Sequence, residues 1–349
     1  MPEAKLGNDE QVDIMRRMVA ARVYSTRLFN LQRQGRMGTN APVDGSEALV
    51  AGAASALDPS VDWIFPQYRE QVALGRFSED LIDQIVLYNM GHPRGGRYPE
   101  DVHVFPYSIS LATQIPHAVG MAWGMKLDEP EACSLVFFGD GSSSEGDFYE
   151  AANFAGVIKA PVIFMLVNNG WAISTPTDSQ TGAESFAAKA HAFGFPGQQV
   201  DGGDPLAVRA AVTEARERAV GGQGPTLIEA VTYRLRHHTT ADDPTKYRDA
   251  DEVARAIERD PIARFAKELG KRDLWDDDKH AAAEQEAEDR FDVAWERAQA
   301  EPLDPTAFFD HVYAEPTPRM ERQRAEMRAD LDRRGIAHSQ TTSSKGGNQ

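Results

Sequence analysis

Two similar stretches constrain the fold more than any other feature of the 349-residue sequence. Residues 134–144 read S-L-V-F-F-G-D-G-S-S-S, and residues 161–171 read P-V-I-F-M-L-V-N-N-G-W. Each is a short apolar run that stops at a small polar tip, which is typical of a buried strand in a parallel sheet. Between them, Phe148, Ala152 and Ile158 recur at helical spacing. The order strand, helix, strand predicts one right-handed crossover unit of an α/β sheet.

The polar tips of these two predicted strands offer oxygen ligands. Asp140 lies between Gly139 and Gly141, and the second run ends in Asn168 and Asn169. Glycines at such a tip let a backbone approach a ligand closely. Carboxylate and amide oxygens on neighbouring strands favour a divalent cation that holds a phosphorylated cofactor.

The helix between the strands is expected to begin near Ser144 or Glu145, with the preceding serines available to cap it. A helix N-terminus beside a glycine-flanked turn favours an anion, because its free N–H groups and positive dipole end point the same way. G-D-G alone is frequent in ordinary turns, so the functional interpretation depends on this strand and helix context.

The spacing of these tips resembles that of a known cofactor motif. Asp140 and Asn169 are 29 positions apart (169 − 140), and G-D-G followed by N-N is similar to the thiamine diphosphate motif. The stretches E-G-D-F-Y-E-A-A-N-F-A-G and N-N-G-W-A-I-S-T-P-T resemble the alpha subunit of the decarboxylating component of 2-oxo acid dehydrogenase complexes. The likeness covers residues 31–247. It implies an α/β thiamine diphosphate-binding fold, a doubly wound and mostly parallel sheet flanked by helices, with a helical C-terminal extension.

The resemblance also implies which residues hold the cofactor. Tyr68 and Arg69 match the pair that grips the diphosphate, and Arg234 and His238 match a second pair, with His238 also aiding acyl transfer. The backbone of Ile109 and Leu111 is expected to contact the aminopyrimidine ring. The glycine-flanked tip is expected to contact the diphosphate, and its residues are Gly139, Asp140, Gly141 and Ser142. Arginine suits this role, since its planar fork makes two parallel charged hydrogen bonds.

A magnesium site is expected beside the diphosphate. Mg²⁺ prefers six oxygens in a tight octahedron and keeps some from phosphate or water. The Asp140 carboxylate, the Asn169 amide oxygen and the Trp171 carbonyl supply three in this interpretation, and Asn168 is expected to stabilise the turn. Adjacent His237 and His238 point opposite ways in an extended loop, so they are not expected to bind one ion together.

Two further family features are left open by the sequence. Ser108, Ser110, Thr113 and Gln114 resemble potassium-binding positions of branched-chain members, but capping of the following helix explains them equally well. The family's proline at this place is Ser110 here. Thr239 occupies the position of the family's regulatory serine, and regulation by phosphorylation is not expected there.

The implied reaction is decarboxylation of a 2-oxo acid such as pyruvate, followed by reductive acylation of a lipoyl group. The activating glutamate of the family comes from a beta subunit, so half an active site in an alpha2-beta2 heterotetramer is expected, docked to a lipoyl acyltransferase core. Branched-chain 2-oxo acids or acetoin are alternative substrates. Outside this class, a non-catalytic cofactor-binding or assembly subunit and an unrelated magnesium phosphohydrolase are the alternatives.

The chain is expected to divide into four parts. These are an N-terminal helix and loop (1–45), the diphosphate-side α/β domain (46–250), a helical C-terminal region (251–338) and a disordered tail (339–349). The tail is polar and lacks the apolar residues that a packed core needs.

Composition narrows the class of protein. Apolar residues make up 41% and no run reaches the length of a membrane span, so a cytoplasmic location is expected. The net charge of −17 argues against nucleic-acid binding. Cys133 is the only cysteine, which excludes an internal disulfide. Lysine accounts for nine of 37 basic residues, and this acidic, lysine-poor composition favours a salt-tolerant surface or an arginine-rich genome.

Overall fold

The computed structural model describes residues 6–302 and 304–337, and a five-stranded parallel sheet forms its centre. The described residues form the strands β1 (Trp63–Phe65), β2 (Ser134–Gly139), β3 (Val162–Asn168), β4 (Trp171–Ala172), β5 (Thr175–Pro176), β6 (Gly197–Asp201) and β7 (Thr226–Val231). The spatial order in the sheet is β1-β2-β3-β7-β6, while β4 and β5 form a small antiparallel hairpin. The two predicted strands are therefore adjacent, as β2 and β3.

Helices cover both faces of this sheet. They are α1 (Asn8–Arg33), α2 (Glu47–Ser55), α3 (Leu81–Asn89), α4 (Gln114–Asp128), α5 (Gly146–Ile158), α6 (Pro205–Val220), α7 (Ala250–Ile257), α8 (Pro261–Gly270), α9 (Asp277–Ala300) and α10 (Pro318–Arg334). Alternate side chains of β2 pack on opposite faces: Leu135 and Phe137 in the cluster with α2, α3 and α6, Val136 and Phe138 in the cluster with α4 and α5. The predicted doubly wound sheet is thus confirmed.

The C-terminal helices pack on the first helix of the chain. Met15 and Met18 of α1 are fully buried against Ile262 and Phe265 of α8, in a cluster that also includes Trp275. Phe291 of α9 is fully buried on the neighbouring part of the core. The helical C-terminal extension is confirmed, while the domain boundaries at 45, 250 and 338 stay predictions. The predicted tail, residues 339–349, lies outside the described residues.

Local details differ from the sequence expectations where tertiary contacts replace local ones. Residues Gly141–Ser144 form a 3-10 turn, and α5 then begins after Glu145, without a side-chain cap from any serine. Ser46 also occupies an N-cap position without a capping hydrogen bond. Residues Ala187–Phe193 form a 3-10 helix, whose first N–H donates to buried Glu229 of β7.

In the described ranges, none of the helices is long and apolar enough to cross a membrane.

Candidate active site

The segments that follow β1, β2, β3 and β7 meet at one edge of the sheet and surround a cavity of about 540 Å³. Parallel α/β sheets bind ligands at this edge, because the loops after the strands open there. The predicted residues among its lining are Tyr68, Arg69, Ile109, Leu111, Gly139, Asp140, Gly141, Ser142, Asn169, Trp171 and His238. Arg234 does not line the cavity; it lies behind His238 and bonds the Trp171 carbonyl.

Asp140 is a buried carboxylate with an unused oxygen. Only 2% of the residue is exposed, and its Oδ2 has no hydrogen-bond partner in the described structure. Burial raises the pKa of Asp140 to about 6, against opposing effects of nearby backbone N–H groups and of Arg234 and Arg69. Because an ionised carboxylate is costly in such a place, Asp140 favours a bound cation.

Asn169 lies in the turn after β3, and Trp171 is the first residue of β4 in the small hairpin. Gly170 adopts a positive φ of 85°, which lets the chain reverse here. The Asn169 Oδ1 accepts a hydrogen bond from the Trp171 amide at 3.2 Å, and the Trp171 carbonyl accepts one from Arg234 Nη1 at 3.0 Å. Oxygen atoms accept more than one partner, so these contacts leave both oxygens able to ligate an ion.

The described residues hold no group of three or more His, Cys, Asp and Glu side chains suited to a metal ion. An ion at this edge would therefore depend on the mixed set of one carboxylate, one amide and one carbonyl, with the rest from a ligand or water. Mg²⁺ accepts such a set.

Arg69 lines the cavity and Arg234 lies behind His238, and both guanidinium groups lack a carboxylate within ion-pair distance among the described residues. Among the described residues, neither forms an ion pair: Arg69 donates to the carbonyls of Pro42 and His238, and Arg234 to those of Trp171 and Ile173. Burial and then the charge of Arg69 lower the pKa of Arg234 to about 10. Two buried guanidinium groups without a direct ion pair favour an anionic ligand.

His238 is fixed in one tautomer by these arginines. Its Nδ1 lies 2.8 Å from Arg69 Nη2 and 3.5 Å from Arg234 Nη1. Guanidinium nitrogens can only donate, so Nδ1 accepts and Nε2 carries the proton. Burial, followed by the charges of Arg69 and Arg234, lowers the pKa of His238 to about 3. The imidazole is therefore neutral at pH 7, with an N–H group at Nε2.

His237 turns the other way and stacks on Phe29, with ring centroids 5.9 Å apart. This agrees with the prediction that the adjacent histidines point in different directions. Its Nδ1 has no partner within the described part of the chain.

Sequence reasoning missed the residues that hold the His238 loop. Asp242 accepts hydrogen bonds from the His238 amide at 2.7 Å and from the Tyr247 hydroxyl. Buried Arg248 donates to the carbonyls of Arg234 and Arg236. The spacing of these residues in the sequence does not indicate the contacts, although Tyr247 and Arg248 both lie in the stretch D-P-T-K-Y-R at residues 243–248.

The proposed potassium positions form a hydroxyl cluster. Ser108 Oγ lies 2.8 Å from Thr113 Oγ1, and Thr113 Oγ1 donates to the Ser110 carbonyl at 2.9 Å. Thr113 occupies the N-cap position of α4 but makes no capping bond, so helix capping does not account for it. Gln114 donates to the Phe137 carbonyl at 2.7 Å, and its Oε1 is unpartnered among the described residues. The potassium assignment stays a prediction.

Comparison with known proteins gives the family. The Dehydrogenase E1 component family matches residues 15–306. A Staphylococcus epidermidis (strain RP62A) protein called pyruvate dehydrogenase E1 component subunit alpha is 43% identical over 312 residues, 89% of this chain and 84% of its own length. Its Bacillus subtilis (strain 168) namesake is 43% identical over 303 residues, 86% and 81% of the two chains. The Staphylococcus aureus (strain Mu50) namesake is 45% identical over 275 residues, 78% and 74%. The resemblance found in the motifs is thereby confirmed, and the chain belongs to the Dehydrogenase E1 component family, whose members depend in general on thiamine diphosphate.

Proposed function

We propose that this chain is the alpha subunit of a pyruvate dehydrogenase E1 component, which binds thiamine diphosphate and Mg²⁺ and acts with a beta subunit. The observation that carries the proposal is the charge arrangement at the cavity: among the described residues, Arg69 and Arg234 form no ion pair, and the Asp140 Oδ2 has no hydrogen-bond donor. A magnesium diphosphate satisfies both needs at once. The names of the similar bacterial proteins support pyruvate as substrate.

The residues present fit this cofactor at both ends. Asp140, Asn169 and the Trp171 carbonyl would hold Mg²⁺, while Arg69, Arg234 and the Nε2–H of His238 would donate to the diphosphate. Gly139 lines the cavity, and a Cβ built there meets no atom within 4 Å, so the backbone leaves room for a ligand. Ile109 and Leu111, 59% and 40% exposed, offer an apolar edge for the aminopyrimidine ring. When bound, the cofactor supplies an electron sink for decarboxylation.

His238 is our candidate for proton transfer during acylation of a lipoyl group. The two arginines hold its ring and keep Nε2 as the protonated atom. A diphosphate beside Arg69 and Arg234 would offset the positive charges that lower the pKa of His238. Its pKa would then move towards the range in which imidazole exchanges a proton at neutral pH.

The beta subunit is proposed to complete the site and to supply the activating glutamate. Exposed Ile109, Leu111 and Ile173 form an apolar rim around the cavity, which suits coverage by another protein surface. An alpha2-beta2 heterotetramer that docks to a lipoyl acyltransferase core is the assembly implied.

The test is reconstitution. This chain would be co-expressed with its beta partner, and decarboxylation would be measured with an artificial electron acceptor, with and without thiamine diphosphate and Mg²⁺. Pyruvate, 2-oxoisovalerate and acetoin would be compared, because Q-Y-R-E at residues 67–70 and N-N-G-W-A-I-S-T-P-T at residues 168–177 resemble the branched-chain type. We expect turnover of pyruvate that needs both chains and both cofactors. Cofactor binding without turnover of any substrate would contradict the substrate assignment, and no binding would refute the whole proposal.

A further inference from the structure

Gln67 is a buried amide in the wall of the cavity, and its side-chain nitrogen donates no hydrogen bond among the described residues. It follows β1 and is only 3% exposed. Its Oε1 accepts hydrogen bonds from the Gly139 amide at 3.4 Å and from the Ser142 hydroxyl at 3.3 Å. A backbone amide can only donate, so this contact fixes which end of the side chain is oxygen. Its Nε2 is left without a partner among the described residues.

The position of Gln67 is fixed by its own backbone. Its N–H donates to Glu70 Oε2 at 3.0 Å, and its carbonyl accepts the Ser108 amide at 2.9 Å. The residue therefore joins the loop after β1 both to the 108–111 segment and to the tip after β2. With both ends held, the amide cannot swing out to find water.

An unpartnered buried N–H is unfavourable, and buried polar groups in folded proteins are nearly always satisfied. The groups around Gln67 restrict what could satisfy it. It contacts the Gly139–Ser142 tip that flanks Asp140, on a cavity that also contains Arg69 and His238. A ligand that satisfies these cationic and N–H groups together is an anion rich in acceptor oxygens.

We propose that Gln67 is a further cofactor-binding residue, whose Nε2 donates a hydrogen bond to the anionic diphosphate while its Oε1 holds the Gly139–Ser142 tip. This inference rests on the proposed function. It gives one side chain two tasks: positioning the turn that carries Asp140 and contributing an uncharged donor beside the two arginines. Because this donor is uncharged, it strengthens diphosphate binding without adding a third positive charge that would repel Arg69 and Arg234.

The test is Gln67→Glu in the heterotetramer purified with its beta partner. Glutamate keeps the size of the side chain and the acceptor for Gly139 and Ser142, but it replaces the donor with a negative oxygen. We expect calorimetric titration with thiamine diphosphate and Mg²⁺ at pH 8 to give an affinity at least 100-fold below wild type. At pH 5.5 a protonated glutamate again offers an O–H donor, so the ratio of wild-type to variant affinity should be markedly smaller than at pH 8.

Gln71 provides a matched control four residues away. It is 1% exposed, and its Oε1 accepts the Tyr98 hydroxyl at 2.7 Å. Its Nε2 is also unpartnered within the described ranges, but Gln71 is not among the described residues that line the cavity. Gln71→Glu therefore buries the same charge in a similar setting, and we expect its cofactor affinity to stay within about threefold of wild type. Equal losses in both variants would overturn the proposal.

A second variant covers the case in which Gln67→Glu does not assemble. In Gln67→Met the new side chain is uncharged and similar in volume. Loss of a hydrogen bond to a charged acceptor should weaken cofactor binding about tenfold, and the ratio of wild-type to variant affinity should be the same at pH 5.5 and pH 8. If wild type itself binds no thiamine diphosphate, the proposed function fails. If wild type binds and both Gln67 variants bind equally well, only the role of Gln67 is refuted.

Discussion

Asp140→Asn should stabilise the cofactor-free protein while abolishing cofactor binding. The carboxylate is buried and its Oδ2 is unpartnered among the described residues, so its charge opposes folding until a cation arrives. Asparagine keeps the shape and one acceptor oxygen but carries no charge. The same substitution removes the single carboxylate proposed to hold Mg²⁺.

The size and sign of the effect follow from the pKa of Asp140. Folding raises this pKa from 3.8 to about 6, and each unit is worth about 1.4 kcal/mol, so the ionised group destabilises the fold by about 3 kcal/mol. Below pH 3.8 the carboxyl is protonated in both states and this destabilisation is absent; it develops as the pH rises and is complete above pH 6. An unpaired buried amide costs about 1 kcal/mol, which leaves a net gain of about 2 kcal/mol for Asp140→Asn at pH 7.5.

The assay is urea unfolding of the cofactor-free protein, followed by tryptophan fluorescence at pH 7.5 and 4.5. We expect the gain at pH 7.5 to disappear at pH 4.5, where folded wild type has a protonated Asp140. Asp62→Asn is the control: Asp62 is fully buried but accepts hydrogen bonds from Arg216 Nε at 2.6 Å and the Cys133 amide at 3.0 Å. That variant should lose about 3 kcal/mol, because it leaves Arg216 without its partner. A destabilised Asp140→Asn at pH 7.5, or a gain independent of pH, would refute the reasoning.

Three further predictions concern the cations, the histidine and the surface. Arg234→Gln should weaken thiamine diphosphate binding 10- to 100-fold in titrations, whereas Arg264→Gln, which removes a cation paired with exposed Asp201, should leave it unchanged; similar losses would argue against a diphosphate contact at Arg234. His238→Ala should slow acylation of a lipoyl domain at least 100-fold while decarboxylation with an artificial acceptor falls less, and equal losses would contradict a role in the lipoyl step. The melting temperature should rise between 0.05 and 1 M KCl, because 54 acidic residues outnumber 37 basic ones and salt screens the repulsion between the excess negative charges. A melting temperature independent of salt would count against repulsion between these charges as a limit on stability.

The strands and their polar ends could be predicted because the signal is local. Residues 134–139 and 162–168 are uninterrupted apolar runs, and each stops where its strand ends. Burial on both faces of a parallel sheet requires such a run, so β2, β3 and the positions of Asp140 and Asn169 follow from the sequence. The G-D-G and N-N tips and the stretches around them are local as well, and they carry the resemblance to the family.

Only the tertiary structure decided how the cavity is held together. Arg69 and Arg234 are 165 positions apart (234 − 69) in sequence, and their shared contact with His238 Nδ1 fixes its tautomer. The expected serine cap of α5 is absent from that helix, and the unpartnered atoms of Gln67 and Asp140 become visible only when every neighbour is in place. Periodicity and spacing report contacts along one element, whereas the charge balance and hydrogen bonding of this site depend on four strand ends that meet only after folding.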